Sequence, residues 1–440
     1  MVQGAMKTVG VAIVGFGTVG SGVARILLDS GDALAERAGV RLNLKYVCDA
    51  DLGRPRNVAV PPQLFTDSLE RVLGDPEVAA VCELVGGTTA AYDIVAKALL
   101  AGKDVVTANK ALLAERGMDL LKLARQKGAA IGFEAAVAGS IPIILAIRDG
   151  LVANRITSIV GIVNGTCNYI LTKMAREGAS YRAALREAQA KGYAEAVPAL
   201  DVSGGDSAHK LTILGRLAFR APVRLQDVHC EGIDAVAPLD MRFGAELGYV
   251  LKLLAIGELD ESRGVNLRVH PTFVPRANPL AHVDGPFNAV MVHGDASGPT
   301  VYYGTGAGQM PAASAVVSDL VDLALGRLQL TFAQRDLFSE RPGPPICPID
   351  HIASRYYLRF DVLDRPGVLG AIAGILGAQH ISIASVLQHE PVSARHVPLI
   401  ILTHRAVEKN VRNALAEIGH LPVVRAAPVC IRVLDQEGRR

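Results

Sequence analysis

The stretch VGVAIVGFGTVG, Val9–Gly20, decides the fold. Val9 to Val14 is an apolar, largely β-branched run of strand length. Gly15, Phe16, Gly17, Thr18, Val19 and Gly20 follow at once, and a helical pattern runs from Thr18 to about Leu28. Strand, glycine loop and helix in this order are the context in which G-x-G-x-x-G holds a dinucleotide. Gly15 permits the tight turn, Gly17 lets a pyrophosphate approach the backbone, and Gly20 lets the helix pack close on the strand. The amides of the helix start then face the phosphates.

Working outward, a second strand, Leu42 to Cys48, ends at Asp49, which reads either as an acceptor for ribose hydroxyls or as a turn residue. The interval from Gly20 is long because the helical stretch extends through Ala38. Arg54 and Arg56 offer partners for a 2′-phosphate, so NAD against NADP stays open. Strands at 79–85, 104–107 and 130–133 alternate with helices, predicting a Rossmann-type doubly wound α/β unit over residues 1–145. Two strand ends are polar: Gly86-Gly87-Thr88, and Thr107-Ala108-Asn109-Lys110. Parallel sheets bind ligands at their carboxyl ends, which assigns Lys110 to a cleft rather than to solvent.

The chain has 440 residues, enough for two or three domains. Lys+Arg 45 against Asp+Glu 43, with no tryptophan, excludes a polyanion-binding surface, and no nucleic-acid partner is expected. No apolar run approaches the roughly 18 to 20 residues of a membrane span, and no secretory h-region opens the chain. Six cysteines without CxxC spacing read as reduced thiols of a cytoplasmic protein.

Dense polar clusters then interrupt an apolar stretch: Asn164-Gly165-Thr166-Cys167-Asn168, Gly192-Tyr193-Ala194-Glu195, and Asp201 to Asp206 running into His209-Lys210. Asp206 and Lys210 are four apart and share one side of a predicted helix. A protonated lysine held beside a carboxylate can deliver its proton to an oxygen as negative charge grows there, the requirement for reducing a carbonyl by hydride. As an ordinary surface pair it would contribute only tenths of a kcal/mol. Gly204 and Gly205, which let another group approach the helix start, favour the functional reading. Cys167 has no local histidine and reads as an inert small residue. The loop Glu134 to Pro142 reads as an interdomain hinge, or as backbone carbonyls plus one carboxylate able to hold a hard monovalent cation.

These stretches resemble homoserine dehydrogenases, which interconvert aspartate 4-semialdehyde and homoserine with NAD(P)(H). The resemblance rests on residues 15–20, 107–112, 134–142, 161–166, 192–195 and the Asp-x-x-x-Lys at 206–210. It implies Lys210 as proton donor, with Asp206 and Lys110 beside the reacting groups. Substrate contacts are implied at Glu195, Gly192, Tyr193, Asp201, Asn164 and Thr166. Cofactor contacts are implied at Thr88, Thr107, Lys110 and Gly308, and a sodium site at Glu134 with the backbones of Val137, Gly139 and Ile141. It further implies a substrate and dimerisation segment over 146–310 and a return helix at 311–333. Val197 departs from the family pattern, which has an acidic residue there.

The Pro-rich stretch Arg341 to Pro348, within a linker at 334–350, cannot continue a helix or an inner strand. The order strand, helix, strand, strand, helix, strand follows, predicting a ferredoxin-like βαββαβ domain at 351–440. Asp364-Arg365-Pro366-Gly367-Val368-Leu369 resembles the loop of ACT domains, small modules that bind amino acids at paired interfaces. That resemblance implies threonine as an effector acting through contacts in a homodimer or homotetramer; a purely dimerising role is the other reading. With separate cores, the catalytic part is expected to work without the module. Two further readings stay open: a non-catalytic cofactor-dependent regulator, and a dehydrogenase of another amino-acid-derived alcohol.

Overall fold

Val11, Ala12 and Ile13 are fully buried in β1 (Lys7–Val14), the strand on which the first sheet is built. The computed structural model describes residues 6–51, 53, 58–335, 343–389 and 396–435. Arg54, Arg56 and the start of the Pro-rich stretch lie outside the described residues. The chain divides into one unit of Met1–Ile159, Asp206–Gln226 and Phe287–Pro345, and another of Val160–Gly205, Asp227–Pro286 and Ile346–Arg440. The units thus take alternating pieces of chain.

In the first unit β1 is joined by β2 (Val40–Cys48), β3 (Phe65–Thr66), β4 (Val78–Glu83), β5 (Asp104–Thr107) and β6 (Ile131–Gly132). All pair in parallel, in the order β3-β2-β1-β4-β5-β6, the doubly wound arrangement expected. The single helix expected through Ala38 is two, Thr18–Asp29 and Gly31–Ala38. Ser30 and Gly31, both poor in a helix interior, break it.

β7 (Ile156–Ile162) carries the chain onward, and β8 (His229–Cys230) pairs in parallel with β10 (Gly264–Pro275). β9 (Tyr249–Asp260) and β10 form a long antiparallel pair in the second unit; β11 (Phe287–Gly294) and β12 (Gly298–Thr305) form another in the first. The C-terminal module has β13 (Ala353–Leu363), helix Val368–Ala378, β14 (Ile383–Gln388), β15 (His396–Thr403), the short β16 (Ala406–Val407), helix Glu408–Gly419 and β17 (Val429–Val433). Apart from β16, this is the βαββαβ order predicted.

The module has a core of its own, built from Tyr356, Leu358, Phe360, Ile372, Leu376, Ile401 and their neighbours. It is not independent of the segment before it. β17 pairs in parallel with β10 at Thr272–Arg432 and Phe273–Val433. Fully buried Asp240 accepts from Tyr357 Oη at 2.9 Å and from Arg359 Nε at 2.6 Å and Nη2 at 3.0 Å. These contacts lie beyond what periodicity reveals, since it shows that a strand has a buried face, not which strand lies at its edge.

Candidate active site

The glycine loop has the geometry its sequence required. Gly15 adopts φ 97°, and at Gly20 an added Cβ would stand 2.2 Å from the Gly15 carbonyl oxygen, so only glycine lets the helix start lie this close. At Gly17 a Cβ would meet nothing within 4 Å. Open space at half-buried Gly17 before a helix start fits a pyrophosphate. Thr18 is exposed and Val19 half-buried at the helix start, while Phe16 is buried and meets Phe65 edge to face at 5.6 Å.

Asp49 is drawn to this loop. Its Oδ2 accepts from the Phe16 amide at 2.6 Å and its Oδ1 from the Asp51 amide at 2.9 Å. Gly308, at φ 132°, caps the helix Gln309–Ala324. Gln309 Nε2 donates to Ser21 Oγ at 2.9 Å, and Ser21 Oγ donates to the Gly17 carbonyl at 2.8 Å. The glycine loop, Asp49 and Gly308 therefore form one neighbourhood.

Glu83, which the sequence reading passed over, organises the two polar strand ends. Fully buried at the end of β4, it accepts from the amides of Val85 at 2.9 Å and Gly86 at 3.2 Å, and from Thr107 Oγ1 at 2.7 Å. Thr107 is itself fully buried, and its hydroxyl also accepts from the Asn109 amide at 3.0 Å, so this side chain shapes the strand end. Asn109 Nδ2 donates to the Gly87 carbonyl at 2.7 Å, joining the loop of half-buried Thr88 to that of Lys110. A lone carboxylate in an otherwise apolar strand was the available signal.

Asn109 caps the helix Lys110–Lys127, and Asp206 and Lys210 lie on the helix Gly205–Phe219. Arg216 locks the two helices together, donating from Nη1 to the Leu113 carbonyl at 2.7 Å and from Nη2 to the Ala114 carbonyl at 2.8 Å. Asp206 then stands between two lysines. Its Oδ2 accepts from Lys210 Nζ at 2.7 Å, and its Oδ1 lies 3.0 Å from Lys110 Nζ. The Lys210 side chain is 10% exposed and that of Lys110 36%, so one ammonium is enclosed and the other reaches solvent. Burial holds the neighbouring His209 below its usual range, although Asp206 opposes this, and the imidazole therefore tends to neutrality.

Glu134 begins the third group of the first unit. Its carboxylate accepts from the amides of Ile144 at 2.9 Å and Leu145 at 2.8 Å, and its own amide donates to Asp319 Oδ2 at 2.8 Å. Burial pushes Glu134 up to about 7, and burial with the Glu134 charge pushes Asp319 up to about 8. Val137, Gly139 and Ile141 follow in a loop where Ala138 and Gly139 both have φ 57°. A buried carboxylate followed by a loop of backbone carbonyls has the oxygen chemistry that a hard monovalent cation takes. Among the described residues no cluster of three or more His, Cys, Asp or Glu is arranged to hold a metal.

The second unit assembles a polar cluster of its own. Asn164 caps the helix Gly165–Glu177, accepting from the Cys167 amide at 2.8 Å, and its Nδ2 donates to Asp201 Oδ1 at 2.8 Å. Thr166 Oγ1 donates to the Tyr193 carbonyl, and Cys167 Sγ to the Asp201 carbonyl at 3.2 Å. Asn164, Thr166, Asp201 and Tyr193 are thus tied together. Gly192 takes φ 74°, and exposed Glu195 lies in the same loop, whose carbonyls at Glu195 and Ala196 accept from Gln189 Nε2 at 3.1 and 3.3 Å. Val197, the departure from the acidic pattern, is exposed.

A family model described as homoserine dehydrogenase matches residues 142–321, one described as the homoserine dehydrogenase NAD binding domain matches 15–134, and an ACT domain model matches 356–420. A homoserine dehydrogenase of Neisseria gonorrhoeae is 42% identical over 432 residues, covering 97% of this chain and 99% of that protein. This chain belongs to the homoserine dehydrogenase family.

A homoserine dehydrogenase structure from Thiobacillus denitrificans superposes with a TM-score of 0.91 at 43% identity, covering 98% of this chain and 99% of that one. A hyperthermophilic archaeal homoserine dehydrogenase in complex with NADPH gives 0.60 at 26% identity, covering 72% of this chain and 98% of its own. As a homoserine dehydrogenase the chain is an oxidoreductase whose first unit binds a nicotinamide nucleotide and whose last part is an ACT domain. Among the described residues no helix is long and apolar enough to cross a membrane.

Proposed function

We propose that Lys210 donates the proton when L-aspartate 4-semialdehyde is reduced to L-homoserine and accepts it in the reverse direction. The observation that carries this reading is the enclosure of Lys210 Nζ at 2.7 Å from Asp206 Oδ2. A carboxylate beside an enclosed ammonium keeps the proton on nitrogen until an alkoxide develops within reach. The nicotinamide, when bound, supplies or takes up the hydride at the carbon. Asp206 orients Lys210, and Lys110, on the other oxygen of the same carboxylate, stands where it adds positive charge beside the reacting oxygen. Glu195, Asp201, Tyr193, Gly192, Asn164 and Thr166 hold the amino-acid end of the substrate; the hydrogen bonds that tie four of them together support this role.

The cofactor is held by residues 15–20, with Asp49, Thr88, Thr107, Lys110 and Gly308 around it. Sodium is held by Glu134 with the backbones of Val137, Gly139 and Ile141, and its charge offsets the cost of a buried carboxylate. Threonine binds at the module, where Gly367 at φ 91° opens the helix Val368–Ala378, whose amino-terminal end can take a carboxylate. The chain works as a cytoplasmic homodimer or homotetramer: its six cysteines form no disulfide, and exposed Phe287 and Tyr303, stacked at 5.3 Å beside exposed Val301, suit a second copy.

The test follows NAD(P)H absorbance with L-homoserine or aspartate semialdehyde in the native chain and in Lys210→Ala. Turnover should fall by roughly 10² to 10⁴ in the variant, the usual range for general acid-base catalysis, with cofactor affinity nearly unchanged. Native turnover in Lys210→Ala removes the proton-transfer role, and a native chain that turns over another amino-acid-derived alcohol faster than homoserine changes the substrate.

A further inference from the structure

Arg432, on β17, is 5% exposed and makes more bonds than its own module requires. Its Nε donates to Glu408 Oε2 at 2.9 Å, and its Nη2 donates to the other oxygen of the same carboxylate. Glu408, 3% exposed, also accepts from Tyr356 Oη at 2.8 Å, so guanidinium and carboxylate already balance within the module. The remaining corner of the guanidinium leaves it: Nη1 donates to Glu231 Oε2 at 3.0 Å. Glu231 also meets His229 Nε2 at 2.7 Å, and despite burial this contact and the Arg432 guanidinium hold its carboxyl below the usual range.

Glu231 lies in a segment clamped to the loop that precedes Asp206. Its amide donates to the Val269 carbonyl at 2.7 Å, and the Ile233 amide donates to the Val202 carbonyl at 2.9 Å. Cys230 Sγ donates to the Ser203 carbonyl at 3.2 Å. Between them Gly232 leaves no slack, since an added Cβ would stand 2.4 Å from the Val202 carbonyl oxygen. Val202 and Ser203 follow Asp201, whose carboxylate is held by Asn164, and lead into the helix that starts at Gly205. A guanidinium fork is rigid and directional, so it fixes the position of a carboxylate as well as its charge.

We propose that Arg432 is a positioning residue for the substrate loop, anchored on Glu408 in the C-terminal module and setting, through Glu231, the place of Val202-Ser203 and with it of Asp201. This rests on the reading of Asp201 as a substrate-binding residue. The module thereby contributes to homoserine binding even with no effector present.

The experiment compares Glu231→Gln, Arg432→Met, their double variant and Asp201→Asn in the full-length chain, measuring KM for homoserine, KM for cofactor, kcat and thermal melting. Glu231→Gln should raise the homoserine KM about tenfold, the loss of one charge-assisted hydrogen bond, with kcat and cofactor KM changed much less. The double variant should be no worse than the worse single. If Arg432→Met does not fold because Glu408 is left buried without its countercharge, Glu231→Gln alone decides. An unchanged homoserine KM in Glu231→Gln, even with lowered melting, overturns the proposal. If Asp201→Asn still raises KM in that case, the substrate loop stands without Arg432; if it too leaves KM unchanged, the reading of the loop falls with the proposal.

Discussion

The Phe16 amide donates to Asp49 Oδ2 at 2.6 Å, so the end of β2 holds the glycine loop directly. A residue that touched only the ribose would discriminate between NAD and NADP. Asp49 also braces the loop that both cofactors use, so Asp49→Ala should weaken both, by about tenfold or more for loss of a hydrogen bond to a charged group. NAD should suffer further, because only an unphosphorylated ribose presents its 2′-hydroxyl to the carboxylate. Fluorescence titrations with NADH and NADPH measure this; an unaltered or improved NADPH affinity rules out the bracing role.

Asp206 serves two lysines, so its replacement should undo both contacts together. Asp206→Asn is expected to lower kcat by roughly 10² or more, at least as much as Lys110→Ala. The double variant should be little worse than Asp206→Asn alone, since residues acting as one unit are not additive. Losses that simply multiply would show that Lys110 and Asp206 act separately.

Glu83→Ala should be costly because this residue is fully buried among the groups it binds. It strands the hydroxyl of fully buried Thr107, at roughly 1 to 3 kcal/mol for a buried group left unpaired, and releases the amides of exposed Val85 and Gly86. Melting should fall by several degrees, and the cofactor KM should rise because both strand-end loops loosen. Glu83→Gln, which keeps acceptor capacity, should recover part of the loss. Equal melting of Glu83→Ala and the native chain contradicts this account.

Glu134 and Asp319 predict a pH dependence of stability. Both folded carboxyls lie above the ordinary range, at about 7 and about 8. Between about pH 4 and these values the folded chain keeps protons that the unfolded chain has lost. Stability from this pair is therefore full below the window and declines as pH rises through it. Melting in choline chloride should drop between pH 6 and pH 8.5, and less so in Asp319→Asn. Sodium chloride at matched ionic strength should restore melting more at pH 8.5 than at pH 6, because a cation favours ionised Glu134. Equal sodium effects at the two pH values exclude binding at this site.

Removal of residues 346–440 should do more than abolish an effector response. It uncovers the edge of β10 and takes both partners from Asp240. An exposed strand edge invites association between chains. The truncated chain should melt lower and aggregate on size exclusion, whereas the full-length chain should bind threonine and lose activity on titration. A truncated form with native melting and turnover would restore the module to the status of an appendage, and a full-length chain indifferent to threonine would leave it a purely structural part.

The sequence alone determined what depends on local chemistry. The glycine loop after an apolar strand, the polar residues at two strand ends, the four-residue spacing of Asp206 and Lys210 and the strand-helix order of the C-terminal module are all set by neighbours within a turn or a strand. Their period states which face is buried. What faces that surface was decided only in three dimensions. Gln309 reaches Ser21 across 288 positions, Arg432 reaches Glu231 across 201, and Lys110 meets the carboxylate of Lys210's helix partner Asp206. Glu83 looks in sequence like a stray charge in a strand, because its value lies in amides and a hydroxyl supplied by two different loops. A buried carboxylate is tolerated only with such partners, and no periodicity names them.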